Sequence, residues 1–475
     1  MCPPFHLEAI EWEVIKMSAC FLRGRKNSII FLCALFFLQI SCSERSKMDL
    51  SDCNLLFIVV DSLRADHLGY AGYPRDTSPF IDSLAGESIV FTECRCQRSQ
   101  TLPSFATIFT SLYASQHQVL RNEDTLDESL VTLAEILKAH GFYTAGIVGS
   151  MILNKDSRID QGFDYFDAGH GKKQWWVRDG EEVNEIAMKW LKAHRKEKFF
   201  LLLHYWDVHS DYNPPEQYRQ LFCDPDYDGP VNGTEGQHRL YNNLEMDFNE
   251  KDLEYLRGLY DAQIRYFDSL FQEFYRFLQE MDLADSTLII FTGDHGESLG
   301  THRFIGHGWL QENQLRIPLF IRFPGKTFPP GRIDALLETT DLSPGILDMY
   351  GIEIPADMVG KSFLPLIKKE KPRIRETVYA EFFMKDGKIG ACSLQKNHYK
   401  IIKKRGNREA LFYDLARDTE EIHPVTEAHP VKAELVEMLN QKWKKELSGN
   451  KKILKKMSRE DERTKQMLRE LGYVE

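Results

Sequence analysis

Three apolar runs in this sequence end on residues of the kind that hold metal ions. Residues 54–60 end at Asp61, and residues 199–203 run into His204, with Asp207 and His209 close behind. Residues 287–292 lead to Asp294-His295, and His307 follows in Ile305-Gly306-His307-Gly308. Carboxylates mixed with imidazoles suit zinc, manganese or a similar divalent ion. A single Asp-His pair would say little, since surface aspartates and core histidines are common. Several such groups at successive run ends are hard to ascribe to chance. Thr101 adds a hydroxyl in Ser99-Gln100-Thr101-Leu102-Pro103-Ser104, ahead of a helix that Pro103 can start. Backbone N–H groups and the helix dipole favour an anion there. Taken alone, Thr101 reads as the helix cap, the commonest job for such a threonine. Beside the ligand set it reads as a nucleophile.

These groups need a sheet to gather them. The continuous apolar run 54–60 reads as a buried parallel strand. Helical spacing follows at 78–86, 104–112 and 130–140, then a strand at 143–148 after Gly141. A helix at 183–194 precedes the strand from Phe199, and a long helical stretch at 253–281 precedes the one from Thr287. A further strand at 317–323 is closed by Pro324-Gly325. The alternation predicts an α/β fold, a mostly parallel sheet flanked by helices. In such sheets catalytic groups gather beyond the carboxyl ends of the strands. Residues 210–249 are rich in Pro, Asp, Gly and Tyr and are too long for a structureless loop, so a lid insertion is expected there. The catalytic domain is placed at 48–368 and a small antiparallel α+β subdomain at 369–475, with strands near 378–383, 391–394, 398–402 and 411–415. A helix at 431–447 and a lysine-rich tail follow. Such a tail reads as a solvated face, with contact to anionic lipid or polysaccharide the weaker alternative.

Composition sets outer bounds. The chain has 475 residues, 43% hydrophobic and 28% charged, which is ordinary for a globular protein with two or three domains. A net charge of -11 argues against a nucleic-acid partner, which would require a basic face. The nine cysteines show no paired spacing, so packing rather than a disulfide framework is expected. Residues 1–47 read as a leader and linker. Arg23, Arg25 and Lys26 precede an apolar run at 29–40, broken only by Gln39, and Ser41-Cys42 follows. That order describes a secretory signal, and the run is short for a membrane span. Ser41-Cys42 resembles a bacterial lipoprotein cleavage point, which predicts an exported periplasmic or cell-surface protein with a lipid anchor on Cys42. An uncleaved anchor or a buried helix is the alternative. Met17 is a second candidate start, since glutamates before it are unusual in a leader.

Asp61-Ser-Leu-Arg-Ala-Asp-His-Leu-Gly, Tyr73-Pro-Arg-Asp-Thr-Ser-Pro, Gly293-Asp-His-Gly-Glu and Gly306-His-Gly together resemble the sulfatase-like family of the alkaline phosphatase superfamily. The resemblance is colinear from about Asn54 to Leu471-Gly-Tyr-Val. It implies an alkaline-phosphatase-like core and the small C-terminal subdomain. The departures from the family pattern are informative. Sulfatases carry Cys or Ser in C-x-P-x-R, and the cysteine becomes formylglycine. Here Thr101 stands at that position and Phe105 replaces the arginine. The paired Asp-Asp of the family's calcium site has become Asp61-Ser62, and His295 stands where Asn is frequent. These changes point away from calcium and toward an ion that accepts nitrogen ligands.

The pattern is similar to threonine-nucleophile relatives: nucleotide phosphodiesterases, phosphonate- and phosphate-ester hydrolases, and phosphoethanolamine transferases. By that resemblance Asp61, Thr101, Asp294 and His295 bind one metal. Asp207, His209 and His307 would bind a second metal or the anionic oxygens of the substrate, and His209 and His307 count with Thr101 as catalytic. Asp211 competes for the assignment near His209, and His204 and His302 are nearby alternatives more often structural. Lys155 and Arg158 are candidates for the leaving group. Trp175, Trp176 and Tyr212 would line a sugar or aryl pocket or else pack in the core. The expected function is an exported, metal-dependent hydrolase of sulfate- or phosphate-type esters that uses a covalent Thr101 intermediate. A headgroup transferase is the runner-up, and a catalytically silent binding protein is the third reading.

Overall fold

β1 (Asn54–Val60) is buried at every position and lies near the middle of a nine-stranded sheet. A strand covered on both faces must be apolar throughout rather than at alternate residues, which accounts for the unbroken run. In this computed structural model residues 50–172, 175–326 and 328–449 are described. The expected leader with Cys42 and most of the lysine tail lie outside the described residues.

The other sheet strands are β2 (Ile89–Arg95), β3 (Tyr143–Val148), β4 (Tyr165–Asp167), β5 (Phe199–Tyr205) and β6 (Thr287–Gly293). After the short pair β7 (Ser298–Leu299) and β8 (Ile305–Gly306) come β9 (Arg316–Arg322), β10 (Gly331–Ile333) and β11 (Leu337–Glu338). The spatial order is β10-β2-β9-β6-β1-β5-β3-β4, with β11 also on β2. β5, β1 and β6 are parallel neighbours, and Val60 pairs with Tyr205 on one side and Gly293 on the other. β9 runs antiparallel to both β6 and β2, so the sheet is mixed but mostly parallel. Sequence periodicity passes over β2, because Thr92 and Glu93 interrupt its apolar run and are only partly buried.

The expected helices are present, with shifted ends. The one placed at 104–112 is Thr101–Thr110, and the long stretch is a single helix, Glu250–Glu280, capped by Asn249. The 210–249 segment is folded rather than open. It carries the helices Glu216–Phe222 and Glu235–Asn242, and Tyr212, Val231, Tyr241 and Phe248 join the main core.

The C-terminal part is a four-stranded antiparallel sheet of β12 (Val378–Phe383), β13 (Ile389–Lys396), β14 (Tyr399–Lys404) and β15 (Leu411–Asp414). The helix Pro430–Gly449 packs on it through Leu435 and Leu439. A buried ionic chain ties this sheet to the large one. Arg95 of β2 and Lys400 of β14 both reach Glu312, at 2.8 Å and 2.9 Å, and Lys400 also reaches Glu421 at 2.9 Å. Burial opposes ionisation of Glu312, but Arg95 and Lys400 outweigh it and hold the carboxyl down at about 2.

Glu312→Gln should therefore lose stability at neutral pH, by less than the roughly 3–5 kcal/mol of a buried charge left with no partner, because Arg95 keeps Glu93 and Lys400 keeps Glu421. The sign with pH follows from the lowered carboxyl. Its contribution is fully present above the ordinary value near 4.5 and disappears as pH falls through about 2. Urea unfolding of parent and variant should show a gap that is constant at neutral pH and narrows below pH 4.5. A gap independent of pH would contradict this account.

Candidate active site

The sheet register builds the site. Val60 and Gly293 are paired, so the residues that follow them, Asp61 and Asp294, emerge side by side at the carboxyl edge. Both are fully buried. Asp294 Oδ1 accepts from the backbone N–H of Ser62 (3.2 Å) and of His295 (2.8 Å). The Ser62 hydroxyl donates to Asp61 Oδ1 at 3.0 Å. His204, the penultimate residue of β5, places Nε2 3.2 Å from Asp61 Oδ2. Of the two nearby histidines that read as structural, His204 thus belongs to the centre, whereas His302 is turned to the Glu420 carbonyl on the surface.

Thr101 reaches the same carboxylate. Its hydroxyl donates to Asp61 Oδ2 at 3.2 Å, and the residue is fully buried. It is the first residue of its helix, Gln100 is the capping position, and no side chain of that position caps the helix. The hydroxyl is therefore committed to Asp61, not to helix capping. Ser104, one turn on, donates to the Asp294 carbonyl at 2.7 Å and locks the helix to the end of β6.

The donor set fits a divalent cation. Asp61, Asp294 and His295 each offer one ligand atom, all within 4.8 Å of one another. Asp294 Oδ2 and His295 Nε2 are buried without a hydrogen-bond partner. His295 Nδ1 lies 3.0 Å from the Gly296 carbonyl, which leaves Nε2 as the ligand atom. Burial and the charge of Asp61 push the Asp294 carboxyl well above its ordinary range. Burial also opposes ionisation of Asp61, but the His204 contact and the surrounding imidazoles hold it well below that range. Burial lowers His295 to about 3, so the imidazole is a neutral ligand. Two carboxyls that cannot both ionise without solvent become a dianionic donor pair only with a positive charge between them.

Beside this centre stands a second group. The His307 ring lies 4.2 Å from His295 and 5.2 Å from His209, and Trp206 stacks on His209 at 3.8 Å. Asp207 is not part of it. Its Oδ1 accepts from the Gly180 N–H at 2.8 Å, at the start of the helix Gly180–His194, and burial raises its carboxyl to about 7. The expected ligand role of Asp207 gives way to a helix-end contact. Asp211 is exposed and accepts from the Glu235 N–H. Arg158 pairs with Glu128 at 3.2 Å, and Lys155 is exposed in a short turn. Tyr212 is core, whereas Trp175 is 42% exposed and stacks on His170 at 3.2 Å. Trp176 is partly buried.

Three contributors escaped the sequence reading. Glu297 is fully buried, with Oε2 3.4 Å from His307 Nδ1, and burial raises it to about 7. Its signal was present, since it closes the Gly293-Asp-His-Gly-Glu motif. Asn122 accepts from Leu102 N–H at 3.0 Å, while its own Nδ2 is buried without a partner. Nothing in its neighbourhood in the sequence marks it. The third is Tyr260, whose hydroxyl donates to the Ser62 carbonyl at 2.7 Å and accepts from Arg64 N–H at 2.9 Å.

A model of the family described as "Sulfatase" matches residues 53–352, and one described as "N-sulphoglucosamine sulphohydrolase, C-terminal" matches residues 300–448. The chain is 24% identical over 464 residues to the multifunctional alkaline phosphatase superfamily protein PehA of Trinickia caryophylli, covering 78% of this chain and 90% of that one. It is also 24% identical over 458 residues to an arylsulfatase of Clostridium perfringens, covering 83% and 94%. Among solved structures, a protein in complex with its substrate D-glucosamine-2-N,6-O-disulfate superposes with TM-score 0.70 at 19% identity, covering 85% of this chain and all of that one. The phosphonate monoester hydrolase of Agrobacterium radiobacter gives 0.68 at 20% identity, covering 84% and 96%. These structural likenesses establish an alkaline-phosphatase-like fold.

Asp294→Asn tests the cation argument from the metal-free side. In chelator-treated protein at neutral pH the variant should unfold at about the same temperature as the parent, because burial and Asp61 already hold Asp294 uncharged there. Added zinc or manganese should raise the parent's unfolding temperature by several degrees and leave the variant unmoved. Equal metal-induced shifts in both proteins would rule out Asp294 as a ligand.

Proposed function

Because this chain belongs to the sulfatase family, we propose that it is a metal-dependent hydrolase of sulfate- or phosphate-type esters that works through a covalent intermediate on Thr101. The carrying observation is the buried Thr101 hydroxyl, 3.2 Å from Asp61 Oδ2 at a helix start that faces the candidate cation site. Relatives named arylsulfatase and phosphonate monoester hydrolase agree with this range of esters.

In this reading Thr101 Oγ1 attacks the sulfur or phosphorus, an Oγ–S or Oγ–P bond forms, and the bond to the leaving oxygen breaks. The hydroxyl proton departs along its hydrogen bond toward Asp61 Oδ2. The leaving oxygen departs with the bonding pair and takes its proton from solvent, while the His209 and His307 rings face the anionic oxygens. Burial keeps His307 down at about 4, so it acts there as a neutral ring. A threonine ester cannot collapse as a formylglycine hydrate does. Water must therefore displace Thr101 in a second in-line attack, which restores the hydroxyl and releases the inorganic anion. A divalent ion held by Asp61, Asp294, His295 and Thr101 would lower the pKa of the hydroxyl and offset the charge of the ester. The nitrogen ligand favours zinc or manganese over calcium, and His209 with His307 would hold a second ion if there is one. The basic-apolar-Ser-Cys order of the leader supports export with Cys42 acylated.

Thr101→Ala should abolish turnover of an aryl ester by several orders of magnitude while the fold and part of the metal content remain. Thr101→Ser, which keeps a nucleophilic hydroxyl, should retain measurable activity. Thr101→Ala activity within a few-fold of the parent, in a panel of aryl sulfate, phosphate monoester, phosphodiester and phosphonate, would remove the covalent mechanism.

A further inference from the structure

Arg98 precedes Thr101 by three residues and is 2% exposed. Its N–H groups go only to neutral acceptors. Nε donates to the Leu120 carbonyl at 3.3 Å, Nη1 to the Gly308 carbonyl at 2.9 Å and Nη2 to Gln100 Oε1 at 2.8 Å. Other buried arginines of this chain have a carboxylate partner: Arg64 has Asp66 at 2.7 Å, Arg95 has Glu312 at 2.8 Å and Arg375 has Glu338 at 2.6 Å. Arg98 makes no ion pair among the described residues. The acids whose field reaches it, Glu381 and Glu123, are engaged elsewhere, with Ser115 N–H at 2.9 Å and with Arg121 at 3.1 Å.

The position of this charge is telling. Gln100 is the neighbour of Thr101 and Gly308 is the neighbour of His307, so the guanidinium sits where the two reacting loops meet. Burial pulls its pKa to about 10, which still leaves it cationic at neutral pH, and its field helps to keep His307 neutral. A buried charge without a counter-ion is costly. An anionic ester group held between Thr101 and His307 would supply the missing charge.

We propose that Arg98 is a specificity-determining charge that favours the ester group carrying the greater negative charge. The inference rests on the ester-hydrolase reading and narrows its substrate class toward dianionic monoesters. Aryl phosphate and aryl sulfate with one leaving group provide the test, because they share a tetrahedral shape and differ by one charge. Arg98→Gln should reduce kcat/KM for the phosphate about tenfold more than for the sulfate. Arg98→Lys, which keeps the charge but cannot reproduce the three hydrogen bonds, should hold the phosphate-to-sulfate ratio near the parent's. Arg98→Met fills the same volume without an unpaired donor, and the ratio is read there if the Gln variant does not fold. If Arg98 only clamps the loops, both esters fall together and the ratio stays constant, which overturns the proposal while leaving ester hydrolysis intact. Turnover of neither ester by the parent would overturn this proposal, and the hydrolase reading falls with it only if the parent also refuses the phosphodiester and the phosphonate.

Discussion

Two carboxylates without solvent, Asp61 and Asp294, set the terms for everything around them. They stand together because β1 and β6 are parallel neighbours in register, and neither strand can shift without losing a fully buried ladder. An isolated pair of this kind works against folding, since desolvation and repulsion both oppose ionisation. The protein holds one of them charged with His204, Ser62 and Thr101 and leaves an oxygen of the other unpaired. Such a local conflict is expected at a functional site, and it fits the candidate cation site of Asp61, Asp294 and His295.

That conflict demands a rigid surround, and three hydroxyls and an amide provide it. Tyr260 spans the turn after Asp61 by bonding both Ser62 and Arg64, so the turn is tied to the helix Glu250–Glu280 and cannot open away from it. The adjacent Asp261 takes His67 at 2.7 Å, Tyr73 at 2.7 Å and Arg75 at 2.8 Å, which fixes the rest of that loop. Ser104 ties the helix of Thr101 to the Asp294 strand end, and Asn122 holds Leu102. His67 and Arg75, which stand inside the motifs that carry the family resemblance, thus support the loop that follows Asp61. Outer groups of this kind decide ligand orientation as much as the ligands do.

The legible part of the sequence was the part governed by burial on both faces. The unbroken apolar strands β1, β5 and β6 were readable, and the polar residues that end them had to lie at one edge of the sheet. What periodicity cannot supply is the direction of a side chain past that edge. Asp207 has the right type and follows the right strand, yet it turns to the Gly180 N–H. His204 lies inside the strand, where a histidine reads as core, and it meets Asp61. Asn122 and Tyr260 come from loops and helices brought close only by tertiary packing, so no local pattern announces them. β2 was missed for a different reason: its middle is polar because that part is only partly covered.

The charge pattern around Thr101 separates this chain from its relatives' motif. In C-x-P-x-R the arginine lies one helical turn beyond the nucleophile, and here that position is Phe105, fully buried with its ring 5.2 Å edge-on to His204. A guanidinium in that packed slot would face His204 and need solvation that the helix cannot provide. A buried cation near Thr101 is Arg98, held by the Leu120 and Gly308 carbonyls and the Gln100 side chain. With Phe105 in place of the arginine, the helix beyond Thr101 is apolar through Phe105, Ile108 and Phe109. In the proposed reading the positive field of Arg98 then lies on the His307 side, where the ester's outer oxygens would lie. Thr101 and Phe105 are thus the two departures from the family motif to be read together, with the proposed role of Arg98 beside them.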